Sequence, residues 1–140
     1  MIAIDTNVLL RYLLGDDELQ SRKASKLILG NDFVFLSHVV LVETVWTLIG
    51  KKYKLTPNDI DMALTALFEE ENIVVQEVEL TWRALLDFRR YSVESKGEID
   101  FPDVLILNQG KSAAIEYDEP FDGFYTIDNA AQKLPGVFSP

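Results

Sequence analysis

Five acidic residues stand at places where the chain is otherwise apolar. Asp5 ends the run Met1-Ile2-Ala3-Ile4, Glu43 interrupts VVLVETVWTLIG, Asp100 and Asp103 open DFPDVLIL, and Asp128 follows FYTI. Each has an ordinary explanation when taken alone. Asp at the start of a helix accepts backbone N–H bonds, which suits Asp5, Asp100 and Asp128 as N-caps. An acid in a first turn also complements the helix dipole, which suits Asp103. Glu43 is different, because it is the only acid or base between His38 and Lys51, on a helical pattern apolar nearly all round. Such a helix reads as buried, and a carboxylate buried without a partner would protonate rather than stay charged.

Taken together the acids suggest metal chemistry. Two carboxylates about 4 Å apart repel by roughly 4 kcal/mol at an effective dielectric near 20, so a convergent cluster requires a cation. Oxygen-only ligands select hard ions, Mg²⁺ or Mn²⁺. Such an ion assists hydrolysis by lowering the pKa of a bound water and stabilising charge on a phosphoryl oxygen. Competing chemistries are excluded by residue type. There is no cysteine, hence no disulfide, thiolate nucleophile or Cys-based zinc site. His38 is the sole histidine, which excludes a paired-histidine ribonuclease and a His-rich zinc site. Its neighbour in sequence is Ser37, and a local polar or capping role suits it better than catalysis. No Gly-rich phosphate loop occurs. An aspartyl-phosphate phosphatase of the DxD kind would need an acid where Asn7 stands.

The elements that must position these acids alternate along the chain. Short apolar, β-branched or aromatic runs predict strands at Ile2-Ala3-Ile4, Phe33 to Leu36, Ile73-Val74-Val75 and Phe124 to Ile127. Helical patterns cover Val8 to Leu13, Glu18 to Leu29 before Gly30, and Val39 to Ile49 before Gly50. Others run from Thr56-Pro57 to about Glu70, from Glu79 to Tyr91, and from Phe101 to Ile115. The alternation predicts an α/β domain with a central, mainly parallel sheet flanked by helices on both faces, a three-layer α/β/α arrangement. Ligands of such sheets sit beyond the carboxyl ends of the strands. Asp5 and Asp128 follow strands directly, and Glu43 lies about a turn into the helix after the second.

With 140 residues, no repeat and no Pro/Gly/Ser linker, the chain is expected to be one domain over residues 1–140. Its 48% hydrophobic and 26% charged composition is that of a globular protein. The first residues lack a basic n-region, and the longest apolar run is broken by Glu43. Both features predict a cytoplasmic protein that makes no use of a membrane. The formal net charge of −10 argues against extensive phosphate-backbone binding and favours a cationic partner, a metal ion or a basic peptide. The basic groups around Lys51, Lys52 and Lys54, and at Arg89 and Arg90, read as solvated helix ends and faces.

The stretches IAIDTNVLLRYLL, SHVVLVETVWTL, IDFPDVLIL and FYTIDNAAQKLPGV, in that order over nearly the whole length, resemble the PIN-domain family and within it the VapC-type toxins of type II toxin–antitoxin modules. The resemblance implies a Mg²⁺- or Mn²⁺-dependent endoribonuclease with a single PIN-like domain. It implies that Asp5, Glu43, Asp103 and Asp128 form the acidic quartet. Within it Asp5, Asp103 and Asp128 hold the metal, and Glu43 orients or deprotonates the attacking water. It makes Asn7 and Thr126 the polar residues that orient this set, and Asp100 an accessory acid. It also implies an RNA substrate, an antitoxin that covers the site, and a homodimer. The alternative is a PIN-like scaffold without activity, a binding module for a partner.

Overall fold

The structure is a computed structural model that describes residues 1–95 and 97–140. The chain forms two compact units, one of residues 1–55 and 62–76, the other of residues 56–61 and 77–140.

In the first unit, strands β1 (Ile2–Ala3), β2 (Val34–Leu36) and β3 (Ile73–Val75) form a sheet in the order β1-β2-β3. Both pairings are parallel, with Ile2 opposite Val34, and Val34, Phe35 and Leu36 opposite Ile73, Val74 and Val75. Parallel neighbours need long crossovers. Between β1 and β2 these are the helices α1 (Thr6–Leu14) and α2 (Glu18–Leu29). Between β2 and β3 they are α3 (His38–Ile49) and α4 (Pro57–Phe68). Val34, Leu36, Ile73 and Val75 are buried, while Phe35 and Val74 on the opposite face are half-buried. Leu9, Ile28, Leu41, Val45 and Leu48 are fully buried and supply the helical share of this core.

The caps explain where these helices start. Asp5 accepts from the Val8 N–H at 2.9 Å, Asp17 from Gln20 at 2.9 Å, and the Ser37 hydroxyl from Val40 at 3.4 Å. Thr56 and Asp59 exchange bonds reciprocally at the head of α4, the Asp59 N–H donating to the Thr56 hydroxyl and the Thr56 N–H to the Asp59 carboxylate. His38 is buried, and its N–H donates to Gln76 Oε1 while its ring Nε2 lies 3.0 Å from the Gln76 carbonyl. It ties α3 to the end of β3, a structural polar role as expected, though through a tertiary contact rather than a local one.

The second unit is built on α5 (Val78–Asp87) and α6 (Phe101–Glu116), which pack on each other. A π-helical segment, Phe88–Val93, continues α5 over the end of the expected Glu79–Tyr91 helix. The rings of Phe88 and Phe101 meet edge to face at 5.9 Å, and both are fully buried.

One expectation is corrected here. The run Phe124 to Ile127 is not a further strand of the three-stranded sheet. Only β4 (Phe124–Tyr125) is extended, and it pairs in parallel with β5 (Val137–Phe138) in a separate two-stranded sheet. Gly123 and Gly136 both adopt positive φ, +126° and +82°, and the Phe124 N–H donates to the Gly136 carbonyl. The glycines set the starts of both strands, and the ladder closes with the Thr126 N–H donating to the Phe138 carbonyl, so two residues pair rather than the four predicted.

Candidate active site

In the first unit, buried Ile4 holds the end of β1, and Asp5 follows at the surface. Asp5 caps α1 with Oδ1, which leaves Oδ2 without a hydrogen-bond partner among the described residues. The next residue, Thr6, lies at the first position of α1 and donates its hydroxyl to Glu43 Oε2 at 2.5 Å. That bond links α1 to α3, two helices that pack together. Glu43 itself is exposed, which corrects the expectation of a buried carboxylate. The apolar composition of α3 misleads because Val39, Trp46 and Ile49 also face solvent, at 66%, 56% and 37% exposure, while Leu41, Val45 and Leu48 carry the buried face. The Glu43 carboxylate faces solvent and the Thr6 hydroxyl, with no ion pair among the described residues. Asn7 lines an open groove between α1 and α2 together with Val8, Arg11 and Lys23.

In the second unit, Asp100 and Asp103 form a capping box at the start of α6. Asp100 accepts from the Phe101 N–H at 2.8 Å, and Asp103 Oδ2 accepts from the Asp100 N–H at 3.1 Å. Asp128 follows β4 and accepts from the Ala130 N–H at 2.8 Å, while its own N–H donates to the Thr126 hydroxyl at 3.1 Å. Thr126 thus fixes the turn that presents Asp128. Burial is the chief cause that pushes the Asp103 carboxyl above its ordinary range. The bond from the Asp100 backbone opposes that shift, and the negative charges of Asp100 and Asp128 add to it.

The structure therefore groups the expected residues in two sets, Asp5 with Asn7 and Glu43 in the first unit and Asp100, Asp103, Thr126 and Asp128 in the second. Among the described residues no three His, Asp or Glu side chains gather tightly enough to form a metal cage by themselves. Asp5, Asp103 and Asp128 share one feature: each commits one oxygen to a local backbone N–H and leaves the other uncommitted among the described residues. Thr6 is not among the residues expected at the site. The signal available was a hydroxyl at the first helical position beside Asp5, a place where its side chain can reach a neighbouring helix.

A parallel α/β chain whose strand ends and helix starts carry uncommitted carboxylates, with oxygen donors alone, defines a protein of the acidic-site α/β class. More particularly, the chain belongs to the PIN domain family, a family of ribonucleases: the family model matches residues 2–122. The match takes in Asp5, Glu43, Asp100 and Asp103 and ends before Thr126 and Asp128. No curated protein matches the chain. Among solved structures, it is similar to the Mycobacterium tuberculosis toxin VapC20, described as cleaving the sarcin-ricin loop, with 16% identity, 85% of each chain covered and a TM-score of 0.43. Among the described residues no helix is long and apolar enough to cross a membrane.

Proposed function

We propose that this chain, one PIN-like domain over residues 1–140, is a Mg²⁺- or Mn²⁺-dependent endoribonuclease and the toxin of a VapBC-type module. The observation that carries the reading is Asp103, a half-buried carboxylate whose ionisation is opposed first by burial and then by the charges of Asp100 and Asp128. Two like charges placed to act on a third are costly for a fold and are relieved by a divalent cation. The donor set fits such an ion, since every candidate is a carboxylate, hydroxyl or amide oxygen. The uncommitted oxygens of Asp5, Asp103 and Asp128 would hold it, directly or through water. Once bound, it would supply Lewis acidity toward a phosphoryl oxygen and lower the pKa of a water.

The side chains do the rest. Glu43 is exposed, and it orients the attacking water or takes its proton. Thr126 holds the Asp128 turn, Asn7 completes the polar set, and Asp100 fixes Asp103 through the capping box. The net charge of −10 suits a basic antitoxin segment that covers the site better than it suits unaided RNA binding. A homodimer in the cytoplasm belongs to the same reading.

The test is cleavage of RNA by the purified protein with Mg²⁺, repeated with Asp5→Asn. Asn keeps an oxygen for the Val8 N–H, so the cap and the fold are expected to survive while cleavage falls at least a hundredfold. Equal cleavage by both proteins would identify a contaminant and overturn the proposal. Tight binding of a partner protein without any calorimetric signal for metal would support the scaffold instead.

A further inference from the structure

Thr6 makes the one hydrogen bond to the Glu43 side chain found among the described residues, from Oγ1 to Oε2 at 2.5 Å. The bond spans 37 positions of sequence, so it is a tertiary contact rather than a helix-capping one. It is charge-assisted, the strong kind, and its length lies at the short end for such bonds. Thr6 is also covalently joined to Asp5, and it lies on α1, whose start Asp5 fixes by accepting from Val8. A β-branched threonine in a helix has few χ1 choices, which makes it a stiff arm. On the other side, the Thr47 hydroxyl donates to the Glu43 backbone carbonyl at 2.8 Å, tying Glu43 to the next turn of α3.

We infer that Thr6 is a positioning residue for Glu43: its hydroxyl holds one carboxylate oxygen so that the other, Oε1, points free toward the reacting water. An exposed glutamate would otherwise sample several rotamers. Donation from Thr6 selects one of them. This inference rests on the nuclease reading for what Glu43 does, and on geometry alone for what holds it.

The variants are Thr6→Val, which keeps the shape and removes the hydroxyl, Thr6→Ser, which keeps the hydroxyl, and Glu43→Gln. With an RNA substrate and Mg²⁺, Thr6→Val is expected to lower kcat by about tenfold or more, in line with loss of a hydrogen bond to a charged group. KM and calorimetric Mg²⁺ affinity should stay near wild type. Thr6→Ser should restore most of kcat, and Thr6→Val should cost little further in the Glu43→Gln background. Wild-type kcat in Thr6→Val, equal loss in Thr6→Ser, or additive losses in the double variant would overturn the inference. An activity-free measurement separates it from the nuclease reading. Side-chain NMR couplings should report one Glu43 rotamer in wild type and Thr6→Ser, and averaging in Thr6→Val. If the wild type cleaves no RNA, the nuclease reading fails, and these couplings still decide whether Thr6 positions Glu43. Averaged couplings in the wild type would refute it.

Discussion

Asp103 closes the cap of α6 with one oxygen while burial and the charges of Asp100 and Asp128 oppose its ionisation. Its carboxyl therefore titrates higher in the folded chain than in the unfolded one. Between those two values the folded state binds the proton that the unfolded state has released. The group's contribution is fully present below the ordinary carboxylate range and is lost as pH rises through the raised value. At neutral pH the ionised Asp103 thus costs stability, and Asp103→Asn should recover it, since Asn Oδ1 can still accept from the Asp100 N–H. Urea midpoints are expected to be higher for Asp103→Asn than for wild type at pH 7, with the gap narrowing toward about pH 4. A variant less stable than wild type at pH 7 would show that burial and repulsion do not govern this residue. Stability gained at the expense of metal binding is the usual signature of a functional carboxylate.

Elements with chemical punctuation were legible in the sequence, and those without it were not. Gly30 and Gly50 ended helices as read, Thr56-Pro57 began one, and Asp5 and Asp100 capped two others. The hidden elements depend on partners distant in sequence. β5 is not among the strands predicted, and only its pairing with β4 makes it one. The exposed side of α3 was equally hidden, because Val39 and Trp46 read as core beside Leu41 and Val45, and periodicity cannot tell which apolar residues meet solvent. The sequence places the two acids of α6 at a helix start, while their mutual capping box depends on side-chain geometry that spacing alone does not specify. At β4, Gly123 is the sensitive point. A methyl group there would lie 2.6 Å from the Phe138 ring, and φ of +126° is unfavourable for any L side chain. Gly123→Ala should therefore loosen the β4–β5 pair and cost about 1–3 kcal/mol, with backbone strain as the larger cause. Because Thr126 and Asp128 follow β4, Mg²⁺ affinity should fall as well. An unchanged thermal midpoint together with unchanged calorimetric Mg²⁺ affinity would show that this glycine is dispensable.

Across the whole molecule, the chain enters the second unit at residue 56, leaves it after 61 and returns at 77. The boundary falls inside α4, a continuous 12-residue helix from Pro57 to Phe68. Its first turn starts from the Thr56–Asp59 capping box in the second unit, and Leu64 and Leu67 are buried in the first. A helix of this length is marginal in isolation, because nucleation is costly and each hydrogen bond depends on its neighbours. If one unit melted alone, α4 would be cut to a stub of two turns or fewer, and the bonds crossing the boundary would be lost with it. Melting of either unit therefore shortens the helix that runs through both stretches of chain. The family match, which covers residues 2–122, likewise runs through both units without a break. Scanning calorimetry of the full chain is expected to give one transition whose calorimetric and van't Hoff enthalpies agree, as for a single cooperative domain. Two resolved transitions, or a van't Hoff value well below the calorimetric one, would divide the 140 residues into two folding units and overturn the single-domain reading. A Pro substitution at Ala63 sharpens the test, since Pro within a helix costs about 3 kcal/mol or more. In a cooperative domain it lowers the single midpoint; in two independent units it would move one transition and leave the other in place.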